Sequence, residues 1–576
     1  MSSATALRIE PAQAMGAMTG RRYIESLRDG REVWIDGEQV RDVTVHPAFK
    51  LMIGALARVY DLQNSPRYRD EMTFLEPESG VRTSVSWLLP QSAADLKRKR
   101  RNSELWNELT WGQLGRSPDI LAPYIISALH LKDEFSKVKH PKCDFGENLE
   151  NYYKYCMRND LFLTHALGDP QVDRSEQPQN VRRGVQEDTQ VSLHVVEETA
   201  DGVIVTGGKQ LSTAAVHSQE CYVSLSATFA NRNDPNCVLA FAIPTNSPGL
   251  TILAREPVSR WFGSWGHPLQ MLDEQDCMLF FDRVLVPWDR LFMLYDPTPM
   301  VKMLGAAGGS VNFNFLGWAN LCRVYFRMRL MTAVATMVAQ AIGVIEYREV
   351  AAKLGEMVTY CEVWRHAMEG VEHEAGPSPT GQWSLGPGRG LHIWFAQTSG
   401  RMVELMREIC GSGIIMQPSE RDLANPKLRK YLDRYMRGKD VDVEYKSRLF
   451  RLAHDLAASS FGMRQDIYEY WHGGDPNRNR INLMRSYDQR AMMDQIRDDS
   501  RCRTAKCRDV PRPAGIALAR RCHTPSHTWA RCHSCQRRRR GHCTRNTESN
   551  SNFGGAQCPP CGTPFRIKHR ARIKHG

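Results

Sequence analysis

The strongest constraint on the fold is that the spacing of apolar residues changes twice along the chain. From Thr19 to about Asn151 they recur at helical intervals, as in Leu51, Ile53, Leu56, Val59 and Tyr60, and a charged helix is expected over Ala93 to Leu114. Between Val191 and Trp288 the period falls to two. Val191-Ser-Leu-His-Val-Val, Asp201-Gly202 and Val203-Ile-Val-Thr-Gly-Gly read as strand, tight turn and strand, with later strands at Val238 to Ala242, Leu250 to Ala254 and Met278 to Leu285, ending at Pro287-Trp288. From about Phe315 to Asp499 helical spacing returns over Leu316 to Ile345, Val350 to Glu372, His392 to Ile409 and Tyr445 to Trp471. The expectation is an α+β multidomain chain: an N-terminal helical domain (1–152), a middle β barrel or sandwich (153–295), a C-terminal helical bundle (296–499) and a tail (500–576).

The net charge of +12 over 576 residues suggests a polyanion partner until it is located. Residues 501–576 hold eighteen Lys/Arg against Asp509 and Glu548, which is +16, so residues 1–500 carry 12 − 16 = −4. The sixteen cysteines divide evenly. Eight are scattered before residue 500 without metal-like pairing, as at Cys156, Cys277 and Cys361, and read as reduced, buried thiols of a cytoplasmic protein. Eight crowd the tail, where Cys532-His-Ser-Cys535 and Cys558-Pro-Pro-Cys561 have zinc-ribbon spacing beside Arg537 to Arg540. The tail has almost no periodic apolar residues, and an abrupt Arg- and Cys-rich change also arises when a reading frame shifts. It is therefore expected to be disordered or non-native; a zinc or nucleic-acid module and a plain basic arm are the alternatives, and neither metal nor nucleic acid is expected for the body.

No basic-then-apolar leader opens the chain, and no apolar run approaches the ~20 residues that span a bilayer. No GxGxxG follows a strand, so a resident nicotinamide domain is not expected. Gly386-Pro-Gly-Arg-Gly390 lacks the Lys-Ser/Thr of a phosphate loop and reads as a linker.

Several collinear stretches over residues 18–490 resemble one family. They are Met18-Thr-Gly-Arg-Arg-Tyr-Ile-Glu-Ser-Leu-Arg-Asp-Gly-Arg, His46-Pro47, Gly115-Arg-Ser-Pro-Asp119, and Asn159-Asp-Leu-Phe-Leu-Thr-His-Ala-Leu-Gly-Asp-Pro-Gln-Val-Asp-Arg-Ser175, the most specific. Phe281-Asp-Arg-Val-Leu-Val-Pro-Trp288, Gly411-Ser-Gly-Ile-Ile-Met-Gln-Pro-Ser-Glu420 and Ser460-Phe-Gly-Met-Arg464 complete the set. The chain resembles the 4-hydroxyphenylacetate 3-monooxygenase group of two-component aromatic hydroxylases. The resemblance implies an acyl-CoA-dehydrogenase-like fold with reduced FAD between the β domain and the bundle. It further implies O2 as co-substrate, a C4a-hydroperoxyflavin, hydroxylation of a small phenol ortho to its hydroxyl, a separate NAD(P)H:flavin reductase as partner, and a homotetramer.

It also implies roles for particular residues. His165 stands on the substrate side, since imidazole both donates and accepts hydrogen bonds; on its residues alone it reads equally as a packed core histidine. Arg116 is the active-site arginine, a fixed cation that favours phenolate, where the bland reading is a packing or surface arginine. Four residues on, where the family often has tyrosine, stands Ile120, which removes one hydroxyl contact from the substrate side; Ser226 is a further substrate-side candidate. Flavin contacts fall to His165, Ala166, Leu167, Gln171, Val172, Asp173, Arg174, Thr213, Ser460, Phe461 and Gly462, although Asp173-Arg174 also reads as a surface ion pair. Arg260-Trp-Phe-Gly-Ser-Trp-Gly-His267 reads as a pocket lid or as a packed β loop.

Two relatives by fold compete. A 4-hydroxybutyryl-CoA dehydratase needs cysteines and a histidine around an iron–sulfur cluster, but Arg101 to Arg116 contains no cysteine and Cys322 stands alone. An acyl-CoA dehydrogenase needs a carboxylate base, for which Glu404 and Glu408 qualify by position only.

Overall fold

The N-terminal region, expected to be mostly helical, also carries strands. In the computed structural model, which describes residues 9, 14–172, 191–225, 234–258, 267–304, 311–378, 380–386 and 388–498 (311–313 and 498 by backbone alone), helix α1 (Gly20–Ser26) is followed by a hairpin of β1 (Glu32–Ile35) and β2 (Glu38–Val40). Its turn, Asp36-Gly37, has φ of 51° and 78°, the left-handed pair that an Asp-Gly hairpin turn supplies without strain at the glycine. Asp36-Gly37 is a hairpin signal that the helical spacing around it masks. Then come α2 (Lys50–Asn64), α3 (Ala93–Thr110), the wholly buried α4 (Pro118–Leu129) and α5 (Phe145–Asn159).

The period-two region folds into β3 (Leu163–Ala166), β4 (His194–Glu198), β5 (Gly202–Gln210), β6 (Glu220–Val223), β7 (Leu239–Pro244), β8 (Leu250–Ala254), β9 (Cys277–Pro287) and β10 (Leu291–Leu294). Two open sheets result, in the orders β2-β1-β8-β9-β5-β4 and β10-β7-β6-β3, so of barrel and sandwich it is the open sheets that form. The N-terminal hairpin joins the larger sheet through parallel pairing of β1 with β8. In the smaller sheet β3 runs parallel to β6, which sets His165 opposite Tyr222.

The helices that follow are α6 (Val311–Ala341), α7 (Arg348–His373), α8 (Arg389–Cys410), α9 (Val443–Ala457), α10 (Ser460–Trp471) and α11 (Pro476–Ser486). α6 packs against α3, α4, α7, α8 and α9, so apolar residues occupy most of its circumference. The single helix expected over Tyr445 to Trp471 is broken. Ser459 leaves the helical region (ψ 168°) and its hydroxyl accepts from the Gly462 N–H, which starts α10 as a new capped helix. The acyl-CoA-dehydrogenase-like order of helices, sheets and bundle is thus present, and the residues to Ala491 form one unit. A second unit begins at Met492; its described residues, 492–498, are helical. The tail and its four paired cysteines, Cys532, Cys535, Cys558 and Cys561, lie outside the described residues. All eight body cysteines are free, and all but Cys143 are buried.

Candidate active site

The site is assembled around Gly115-Arg116, just before α4. Both backbone N–H groups donate to Glu274, at 2.8 Å each, which fixes the segment against the β region. The Arg116 guanidinium donates to its neighbour's carbonyl (3.0 Å) and to the Tyr468 hydroxyl, and lies 5.3 Å from that ring's centre. Tyr468 in turn donates to the Gly115 carbonyl at 2.8 Å. Only glycine allows this approach: a Cβ at position 115 would stand 2.1 Å from the tyrosine ring. Arg464 and Arg323 also lie 4.9 and 5.6 Å from the ring of Tyr468, whose hydroxyl burial pushes up to about 12.

A second set of bonds ties this point to α10 and to the β region. Arg464 on α10 pairs with Glu274 (2.9 Å) and with both Asp276 oxygens (2.7 and 3.0 Å). Asp276 also accepts from the Thr213 hydroxyl (2.7 Å) and from Arg255 (3.1 Å), and the Thr213 carbonyl accepts from Thr164, the neighbour of His165 (2.7 Å). Segments 115–116, 164–165, 213 and 464–468 are thereby joined through two carboxylates. Burial raises the Asp276 carboxyl, but the Arg464 charge and hydrogen bonds, Arg255 and Thr213 outweigh it and hold the group well below the usual carboxylate range.

A depressed folded-state pKa adds stability that is fully present above the ordinary carboxylate pKa and is lost as pH falls toward the folded value. Asp276→Asn is therefore expected to lower stability at neutral pH by about 1.5–3 kcal/mol, the worth of a charged hydrogen bond, and to flatten the acid limb of the unfolding profile below about pH 4. Denaturant melts between pH 3 and 7 measure both; parallel pH profiles for parent and variant would refute it.

His165 lies on β3 with its ring 5.9 Å from that of Tyr124, and its buried Nδ1 has no hydrogen-bond partner. Burial, and next the Arg116 charge, push the imidazole well below its usual range, which brings the two candidate residues into one electrostatic neighbourhood and keeps the histidine neutral at physiological pH. Ile120 is buried in the first turn of α4. Ala166 is buried, Leu167 half-buried, and Gln171 and Val172 exposed. Ser460 is exposed, while Phe461 packs in the core and Gly462 is buried in the first turn of α10, so that segment is a helix start and not a free turn. Asp173, Arg174, Ser226 and all but His267 of the 260–267 loop fall outside the described residues. Glu404 and Glu408 form outward ion pairs with Arg401 and Lys353, 2.8 and 3.0 Å, and stand 58% and 36% exposed, which gives neither the buried setting of a catalytic base.

Sequence reading missed Glu274, Asp276 and Tyr468. The contacts that bring them to the site are long-range, as the Arg116–Tyr468 and Arg464–Glu274 separations of 352 and 190 illustrate, and no local spacing reports such pairs. Arg323 and Arg327 were findable: two arginines one turn apart in an apolar helix must meet a buried acid, here Glu469.

A helical segment, two open sheets and a helical bundle, joined at a half-buried arginine and histidine and a buried tyrosine, define an α+β enzyme of acyl-CoA-dehydrogenase-like fold. The family model for the 4-hydroxyphenylacetate 3-hydroxylase N-terminal part matches residues 19–293, and that for its C-terminal part residues 309–498. The oxygenase component of 4-hydroxyphenylacetate 3-monooxygenase from Thermus thermophilus is 33% identical, with 84% of this chain and 97% of that protein covered. The oxygenase component of a Rhodococcus 4-nitrophenol 2-monooxygenase is 30% identical over 82% of this chain and 88% of its own. A crystal structure of a 4-hydroxyphenylacetate 3-monooxygenase oxygenase component, complexed with FAD and 4-hydroxyphenylacetate, superposes with a TM-score of 0.77 at 33% identity, covering 84% and 98% of the two chains. The chain belongs to the 4-hydroxyphenylacetate 3-hydroxylase family.

Proposed function

We propose that this chain, a flavin-dependent monooxygenase by its family, is the oxygenase component of a two-component system that hydroxylates a small phenol ortho to its hydroxyl group. It works as a cytoplasmic homotetramer served by a separate NAD(P)H:flavin reductase. FAD is the cofactor and O2 the co-substrate; when bound, reduced FAD supplies the activated oxygen from its C4a position. The observation that carries the reading is the electrostatic meeting of Arg116 with a half-buried, neutral His165 whose Nδ1 is buried and unpaired.

The residues present fit a flavin. The Thr213 hydroxyl offers a polar contact, and the exposed apolar side chains of Val172 and Leu211 stand at the ends of the segments that flank Thr213 and His165. The residues assigned to hold it are His165, Ala166, Leu167, Gln171, Val172, Asp173, Arg174, Thr213 and the Ser460–Gly462 start of α10. Thr213 keeps an acceptor lone pair after donating to Asp276. Arg116, held by Tyr468, Glu274 and its own backbone, stabilises the phenolic oxygen as phenolate and so raises the electron density of the ring carbon ortho to it. Neutral His165 takes or returns the proton of that oxygen.

Anaerobic titration with reduced FAD followed by mixing with O2 tests this directly. A slowly decaying near-ultraviolet flavin band, whose decay is hastened by a phenol with release of a catechol, is the expected result. A chain that binds no reduced FAD, both whole and ending at Gln495, refutes it.

A further inference from the structure

Four polar atoms in this neighbourhood are buried with no hydrogen-bond partner: Arg116 Nε before α4, Tyr124 Oη on α4, His165 Nδ1 on β3 and Tyr222 Oη on β6. Arg116 and His165 already have roles. Tyr124 does not, yet it is 4% exposed, its ring lies 5.9 Å from that of His165, and it packs edge-on against Tyr222 at 5.4 Å. An unpaired hydroxyl inside a protein costs free energy that a phenylalanine avoids, so a buried tyrosine without a partner, next to other unpaired groups, marks a place that receives a polar atom.

We propose that the Tyr124 hydroxyl is the third member, with Arg116 and His165, of the set that takes the phenolic oxygen of the substrate. The inference rests on the hydroxylase reading above and deepens it by naming a further residue that holds the substrate. Ile120 lies one turn earlier on the same face of α4 and has no hydrogen-bonding atom, so Tyr124 is the side chain of that face able to supply one. The charged and titratable groups that act on Tyr124 are Tyr222 and Arg116; burial, then Tyr222, raises its own ionisation well above the ordinary phenol value, against the pull of Arg116. The hydroxyl therefore stays an O–H donor, beside a permanent cation and an imidazole whose Nδ1, once it has taken the phenol's proton, donates to the resulting oxyanion. Donors alone around one point favour an anionic oxygen, which selects phenols that ionise on binding over anilines, which present no such oxygen.

The probe is 4-nitrophenol, whose phenolate is yellow, bound to the full chain without flavin and titrated with pH. The expected results for the parent are binding as phenolate and an ionisation shifted downward. For Tyr124→Phe they are at least about 10-fold weaker binding, the loss of one hydrogen bond to a charged group, and an ionisation moved back up by about one unit. Reduced FAD should bind the variant as it binds the parent, and its thermal midpoint should be equal or higher, because an unpaired buried hydroxyl has been removed; these two readings show that the variant is folded. If parent and variant bind the probe alike, the role of Tyr124 is overturned while the hydroxylase reading stands. If the parent binds neither reduced FAD nor the probe, the hydroxylase reading itself falls and this one with it.

Discussion

Glu469→Gln is expected to destabilise the body of the protein by about 3–5 kcal/mol, the usual cost of removing one partner from a buried ion pair. Glu469 on α10 is 1% exposed and grips Arg323 of α6 through two bonds of 2.5 and 2.8 Å, with Arg327, one turn further along α6, at 3.8 Å. Both arginines are themselves 1% exposed. Burial raises the Glu469 carboxyl, yet the charges of Arg323 and Arg327 and the hydrogen bonds from Arg323 outweigh it and hold the group below its ordinary value. The glutamine keeps the shape and loses the charge, which leaves two guanidinium groups inside the bundle opposed by the half-buried Asp466 near Arg327. Because the effect is electrostatic, Glu469→Asp should recover part of it. The consequence reaches the site, since Tyr468 is the next residue and carries the contact to Arg116. Hydroxylation should therefore fall along with the unfolding midpoint. Denaturant unfolding of the three proteins decides the matter; a Glu469→Gln variant within 1 kcal/mol of the parent, on the scale of an ordinary surface change, would refute the central place given to this pair.

How much of this was legible beforehand depends on the range of the interaction. Strand Leu250–Ala254 and the limits of α7 and α8 fall within a few residues of their expected places, because alternation and helical spacing are local properties of the chain. The break at Ser459 hides inside a continuous apolar pattern, since a cap is one hydroxyl and leaves no trace in periodicity. The N-terminal hairpin belongs to a sheet whose other strands begin more than 150 residues later, so its purpose is invisible where it is written. At the site, Arg116 and His165 stood out through resemblance to a family, as nothing in their immediate neighbours distinguishes them from packing residues. Glu274 and Asp276 sit in Asp273-Glu274-Gln275-Asp276, which reads as a polar loop until Arg464 arrives from the bundle to neutralise it. Tyr124 reads as one more apolar residue of a buried helix; only the unpaired state of its oxygen in three dimensions separates it from the core.

His165→Ala should lower the rate of phenol hydroxylation by about 10²–10⁴, the range of a positioned proton-transfer group, while reduced FAD still binds within a few-fold of the parent. The residue has the means for such a role: its Nδ1 is buried and unpaired, and its ring is held by no side-chain hydrogen bond among the described residues, whereas the His217 ring, whose Nδ1 is also unpaired, is anchored at Nε2 by Gln275 at 2.8 Å. Its ionisation lies far below that of free imidazole, first through burial and then through Arg116, so the neutral form prevails across the working range. The pH profile of the parent should accordingly show no limb near about 6.5, and its stability should carry the matching linkage. A histidine depressed in the folded state contributes stability that is present above the unfolded pKa and is lost as pH falls below it, because only the unfolded chain gains the proton. The alanine variant should therefore melt less steeply with falling pH below about 6.5 than the parent does. Rate and stability move in opposite senses in acid on this account, whereas a purely structural histidine would lose stability at every pH and leave the chemical step untouched. Single-turnover oxidation of bound reduced FAD in the presence of a phenol separates the two: catechol yield and rate both unchanged in His165→Ala would remove this residue from the reaction.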